Sequence, residues 1–219
     1  MTRIKNKFCF FVCFLMLTLG TGCATNRGVI DLQIAQPVNP AQGASVKIIR
    51  VTDHRVFQKA PRSPAIPSLR GNHIDDKALT LRAIARKRNG FGMAIGDIVL
   101  PEGRTVETLM TEMLTKAFRE AGYQVVDPTD TRTDVIPVEA DIEQFWSWIV
   151  PATWSIGVFF ETTVNITCDL GTFKAGEKVT GKIQLQSQAV TTRAWTNTMN
   201  KGIAAFVEEM RNRLTATKP

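Results

Sequence analysis

Apolar positions change their period several times along the chain, and each change predicts an element. Ile30, Leu32 and Ile34 alternate with Asp31 and Gln33, the period of two of a half-buried strand. Pro37, Pro40 and Gly43 end it. Val46 to Val51 (VKIIRV) is a β-branched run and predicts a second strand. From Asp53 to Gly103 the pattern is irregular. Pro61, Pro64 and Pro67 recur every third position, which favours an extended polyproline course over helix. A weaker strand is expected near Leu81 to Arg86.

The clearest helix runs from Val106 to Ala121. Val106, Leu109, Met110, Met113, Leu114, Ala117, Phe118 and Ala121 fall on one face at helical spacing. Thr105 can cap its start, and Gly122 supplies the left-handed residue that ends it. Tyr123 to Val126 resumes extended structure, and a strand is expected from about Val135 to Ile149. Trp154, Ile156, Val158, Phe160, Thr162, Val164, Ile166 and Cys168 then occupy alternate positions, with Phe159 interrupting the polar set between them. Lys178 to Val190 repeats the alternation. Turns at Pro151-Ala152 and at Gly171 to Gly176 make these strands an antiparallel meander. A last helix, about Thr198 to Leu214, buries Met199, Ile203, Phe206, Val207, Met210 and Leu214.

One-sided helices and a one-sided sheet must cover each other. The expected fold is a two-layer α+β domain, a mostly antiparallel (mixed) sheet covered by two amphipathic helices. Its division is a leader over 1–22, a lead and first strand over 23–44, and one domain over 45–219.

The leader follows from charge and apolarity. Arg3, Lys5 and Lys7 precede an uncharged run, Phe8 to Leu19, and Gly20, Thr21 and Gly22 lead directly to Cys23. A basic start, a short apolar core and a small-residue exit describe a secretory signal, too short for a transmembrane helix of roughly 20 residues. Leu19-Gly20-Thr21-Gly22-Cys23 resembles the bacterial lipobox, although the leucine stands four positions before the cysteine rather than three. The resemblance implies signal cleavage and a diacylglyceryl thioether on Cys23. Two or more acyl chains hold a protein firmly, at roughly 0.8 kcal/mol per buried methylene.

Removing the leader changes two inferences. Cys9 and Cys13 would be lost and Cys23 modified, leaving Cys168 without a partner and excluding a disulfide-stapled scaffold. The formal charge of +7 over the whole sequence loses three basic residues, a mild surplus that argues against nucleic-acid binding.

Candidate chemistry is sparse. His54 and His73 are the two histidines. Asp53-His54 and His73-Ile74-Asp75-Asp76 lack the helical spacing of a zinc motif, so no metal and no cofactor is expected. Gly90 to Gly96 lacks the spacing of a phosphate-cradling motif and reads as a loop. No G-x-S-x-G elbow occurs. Cys168 sits on an apolar strand face and reads as a small buried hydrophobe. The sequence therefore predicts no catalytic residue and no enzyme. Arg82, Arg86, Lys87 and Arg88 read as a solvated or ion-paired loop, with anionic lipid heads as the other option near an anchor.

Phe145 to Phe160 (FWSWIVPATWSIGVFF) carries no charge. Its aromatics can pack beneath the helices. Alternation, however, places Phe145, Ile149 and Phe159 opposite the main apolar set. That leaves Phe145, Trp146, Trp148, Trp154 and Phe159 as a contact surface for a partner protein, a second copy or the membrane interface.

Together Val51-Thr52-Asp53-His54-Arg55, Arg86-Lys87-Arg88-Asn89-Gly90, Ala121-Gly122-Tyr123, and a meander followed by a terminal helix resemble the YajG-like family of bacterial lipoproteins. The resemblance covers most of the chain after Cys23. It implies a lipid-anchored envelope protein of unassigned molecular activity. Asp53 and Arg55 match the family's D-x-R pattern and read as a structural ion pair or strand-end bond. The proline-rich segment and the tryptophan-rich hairpin depart from the family. The expected role is a non-enzymatic accessory module that binds an envelope partner. The alternative is a small-ligand or lipid carrier with a pocket between helices and sheet. Ala24, rather than Asp, after the lipidated cysteine implies the periplasmic face of the outer membrane.

Overall fold

A proline-interrupted, β-branched sequence with two helical stripes folds around its longest strand. The structure, a computed structural model, describes residues 27–38, 43–71, 73–89 and 91–216. The leader and Cys23 lie outside the described residues. One mixed sheet holds β1 (Gly28–Val29), β2 (Ser45–Asp53), β3 (Ala83–Arg88) and β4 (Ala94–Val99). It continues with β5 (Gln124–Val125), β6 (Ile136–Pro151), β7 (Ile156–Cys168) and β8 (Glu177–Ser187). The helices are α1 (Lys77–Thr80), α2 (Val106–Glu120) and α3 (Thr192–Ala216).

Strand β6 divides its neighbours. One edge pairs antiparallel with β7 along its length, and β7 pairs antiparallel with β8. The other edge is shared by two parallel strands. Val46 to Asp53 of β2 pair with Ile136 to Ile142, whereas Ala85 of β3 pairs with Ser147. The sheet forks there, with β2–β5 on one prong and β3–β4–β1 on the other. The fold is α+β, as the patterning predicts, with the longest pairings antiparallel.

Helix α2 forms where the stripe and cap place it. Thr105 and Thr108 make a reciprocal capping box, worth about 1 kcal/mol. Gly122, at φ 88°, lets the chain turn back into β5. Helices α2 and α3 pack over one face of the sheet. Phe118, Phe145, Phe160, Phe173 and Phe206 are fully buried there with Met110, Met113 and Met210. Ile30 and Leu32 belong to the same core.

A second, smaller core lies under the irregular segment. Leu69, Leu79, Ala83, Val99, Trp146 and Trp148 pack together, with Phe57, Ala65, Ile74 and Phe159 against them. The proline-rich path thus covers part of the sheet's other face. The edge-to-face contact of Phe57 with Trp146 holds it down, at 5.9 Å between centroids, as does the hydrogen bond that Trp146 Nε1 donates to the Pro64 carbonyl at 3.2 Å.

Several sequence expectations need correction. Phe145 and Ile149 lie in the helix-covered core, and Trp146 and Trp148 lie opposite. A β-bulge between Ile142 and Gln144 inverts the alternation, because one extra residue swaps every later side chain to the other face. Residues 94–99 form strand β4 rather than loop, and Arg86 to Arg88 lie on strand β3. Helix α3 begins at Thr192, well before Thr198, because Thr191 caps it through Oγ1 to the Ala194 amide and Trp195 anchors its first turn. Ile30 to Ile34 keep their alternating burial, but the strand itself is Gly28–Val29, with the Ile30 amide donating a last bond to the Val99 carbonyl at 3.0 Å.

Candidate functional site

The fork in the sheet leaves carbonyls without strand partners, and one side chain collects them. Arg55 Nη1 donates to the Ala83 and Phe145 carbonyls at 2.6 and 3.0 Å, and Nη2 donates to Thr80 O at 2.8 Å. Nε and Nη2 also donate to the two Asp53 carboxylate oxygens. Phe57 lies over the guanidinium at 5.3 Å. Every donor direction is engaged within the protein, so this pair closes the fork. It is the structural ion pair expected of Asp53 and Arg55, and it leaves no donor for a ligand.

The other polar candidates are dispersed. His54 Nε2 stands 3.4 Å from Asp141 Oδ1 on the open sheet face, beside the exposed Arg50–Glu139 and Arg50–Asp141 pairs. His73 opens a short 3-10 turn in a different region. Among the described residues, no group of three or more His, Cys, Asp or Glu is arranged to hold a metal ion. Cys168 is buried, and burial pushes its thiol up to about 11, so it is no nucleophile at neutral pH. The space between helices and sheet is filled by the phenylalanine layer. At its N-terminal end, α3 leaves a cleft against β7 and β8, lined by Val158, Leu185, Gln186, Asn197 and Lys201.

The aromatic hairpin divides into buried and exposed parts. Phe145 and Trp146 are completely buried and Trp148 nearly so. Phe159 is half-buried and stacks on Trp148 at 5.3 Å with an interplanar angle of 7°. Phe145, Trp146 and Trp148 are therefore core residues, and Phe159 lies partly exposed against them. Trp154 differs, being 87% exposed at the β6–β7 turn. Val150 beside it is also exposed.

Sequence reasoning missed where a second turn falls. Strand β3 runs parallel to the far half of β6, so the β3–β4 turn ends beside the β6–β7 turn. Arg88, Asn89 and Gly92 share a shallow cleft with Ile149, Val150 and Pro151, and Arg62 of the proline-rich path completes its rim. Phe91, 90% exposed, and Met93, 60% exposed, project from that turn. One end of the sheet therefore carries four exposed apolar side chains, Phe91, Met93, Val150 and Trp154. Isolated exposed apolar residues are ordinary, but a cluster of large ones at one end is not. Arg86, in the same region, is half-buried, and its guanidinium is held below the usual range by burial and by the neighbouring Arg88.

No protein family and no curated protein matches this sequence. Among solved structures, an uncharacterised protein shares 8% identity over 86% of this chain and 99% of its own, with a TM-score of 0.46. A Xanthomonas campestris protein of the DUF330 family shares 10% over 87% and 91%, with a TM-score of 0.40. A Helicobacter pylori homolog of neuraminyllactose-binding hemagglutinin shares 10% over 84% and 92%, with a TM-score of 0.31.

Proposed function

We propose that this chain is a bacterial envelope lipoprotein of the YajG-like type, anchored through Cys23 after loss of residues 1–22. Its domain acts without catalysis, by binding another envelope component from the periplasmic face of the outer membrane. The observation that carries the reading is the ordered series of Arg3, Lys5 and Lys7, the run Phe8 to Leu19, and Gly20-Thr21-Gly22-Cys23.

The domain's build supports it. Its first strand begins at Gly28, five positions after Cys23, so the fold starts next to the acylated residue. The buried polar groups best placed for chemistry, Asp53 and Arg55, are consumed in closing the sheet. A partner has a long edge to use: among the described residues β8 pairs with β7 alone, which leaves its outer side for strand addition. Lys178 and Lys182 project from β8 and pair with Glu143 and Glu161, which limits indiscriminate pairing at that edge.

Fatty-acid labelling of the full chain and of Cys23→Ser tests the anchor. Label on the natural chain and its loss in the variant are expected; an unlabelled, equally membrane-bound natural chain refutes the reading. Photo-crosslinkers at Lys182 and Gln184, used in intact envelopes, should capture one protein. Capture of nothing above a Glu208 control overturns the partner assignment.

A further inference from the structure

The exposed end of the sheet lies on the side from which the chain arrives. Strand β1 runs parallel to β4, with Gly28 opposite Ile98, so the N-terminal end of β1 points toward the Ala94 end of β4. Ala94 directly follows the turn that presents Phe91 and Met93. A chain spans at most about 3.6 Å per residue, so the Cys23 Cα is within about 18 Å of that of Gly28. Six residues of β4 cover a similar length, about 3.3 Å each. Acyl chains on Cys23 would therefore enter a bilayer within reach of both turns.

The segments that form this end carry basic side chains, and the carboxylate that follows them, Asp97 beside Arg86, is buried. Segments 61–64, 86–96, 149–158 and 190–195 contain Arg62, Arg86, Lys87, Arg88 and Arg193 and no Asp or Glu. They converge structurally. The β3–β4 turn meets the proline-rich path and β6 at one cleft. Gly28, Lys87 and Arg88 meet Thr192 and Trp195, at the start of α3, at the next. The whole sequence carries +7, of which Arg3, Lys5 and Lys7 lie in the leader, so these five cations exceed the surplus of everything after it. Aromatic tips with a basic surround suit the headgroup layer of a membrane: the rings lie at the acyl boundary while guanidinium and ammonium groups meet phosphates. A protein partner would require no such alignment with the lipid-bearing residue.

We propose that this end of the sheet is a second membrane contact, in which Phe91, Met93, Val150 and Trp154 enter the interface of an anionic phospholipid bilayer while Arg62, Lys87 and Arg88 lie among its phosphates. The proposal rests on the lipoprotein reading and adds an orientation. With the β3–β4 and β6–β7 turns down, the opposite end of the sheet, at the β7–β8 connection, points away from the bilayer. The outer edge of β8 stands clear for a partner.

Tryptophan emission provides the test. Trp146, Trp148 and Trp195 are buried, so Trp154 is the indole that bilayer quenchers can reach. Full-length protein, expressed with its leader and recovered from membranes, is reconstituted into phosphatidylethanolamine–phosphatidylglycerol vesicles with brominated acyl chains. Acylation is read on the same sample by intact mass. Loss of a quenchable component, absent in Trp154→Phe and weakened in Arg62→Gln/Arg88→Gln, is the expected result. An acylated, vesicle-bound protein whose Trp154 stays unquenched and open to acrylamide overturns the membrane contact and leaves the anchor standing. An unacylated protein with Trp154 quenched does the reverse. An unacylated protein with unquenched Trp154 overturns both.

Discussion

Arg55 grips Asp53, two residues before it, through two parallel hydrogen bonds of 2.8 and 2.6 Å, with side chains 0% and 6% exposed. Burial removes water from both charges, so the pair holds only because each compensates the other. Arg55→Met strands the Asp53 carboxylate and three carbonyls at once. It should cost about 3–5 kcal/mol, read as a lowered urea midpoint. Arg55→Lys keeps the charge but lacks the planar fork, so an intermediate loss is expected. An unchanged midpoint for Arg55→Met would refute this role.

Trp148 and Phe159 stack across neighbouring strands. Trp148→Ala should destabilise by roughly 3 kcal/mol. A double-mutant cycle with Phe159→Ala should give a coupling of about 0.5–1.5 kcal/mol. Trp154→Ala, by contrast, should leave stability within about 0.5 kcal/mol of the natural chain. Equal losses at Trp148 and Trp154 in thermal melts would contradict the division between buried and exposed aromatics.

Helix α3 approaches the sheet through two glycines. A Cβ on Gly202 would stand 2.2 Å from Phe160 Cδ1, and one on Gly181 would stand 2.8 Å from the Phe206 amide nitrogen and 2.9 Å from the Gly202 carbonyl. Ala normally improves a helix by about 1 kcal/mol over Gly. At Gly202 the overlap with a fully buried ring should outweigh that gain, for a net loss of about 1–2 kcal/mol. Gly181→Ala should cost more, since it meets backbone that cannot rotate away. A stabilised Gly202→Ala would show that α3 sits farther from β7 and β8.

Cys168 gives a count of free thiols. In the folded, acylated chain no cysteine should react with a disulfide reagent at neutral pH, and one should react after denaturation. A reactive thiol in the native state would point to a free Cys23. The pH sense is fixed as well. With its ordinary value of 9.0 raised to about 11 by burial, this thiol contributes stability that is complete below about 9 and lost as pH rises toward 11. Cys168→Ala should flatten the alkaline limb of the pH–stability curve.

Where one face of an element decides its burial, the sequence could be read directly. Helix α2 carries its stripe, its Thr105 cap and Gly122 in order, and the strand pattern of β7 is regular. Elements set by distant partners were harder to read. Strand β4 is short and glycine-bearing, and it exists because β3 and β1 flank it. The bulge near Glu143 leaves no mark in composition, yet it decides that Phe145 faces the helices and Trp146 the proline-rich path. That Phe91 and Trp154 project from the same end of the sheet was hidden for the same reason, since it depends on β3 lying beside β6. The Asp53–Arg55 pairing was visible as a two-residue motif, but its service to the Ala83, Phe145 and Thr80 carbonyls was not.

Strand β6 borders β2, β3 and β7, and it comes late in the chain. During synthesis, more than half of the polypeptide emerges before the strand that β2 and β3 need, so those two segments wait with their hydrogen-bonding groups open. Their pairing becomes possible once β6 has been made, at Pro151, about two thirds of the way along the chain. For a chain exported as proposed, that delay leaves the first half of the sheet unpaired during passage.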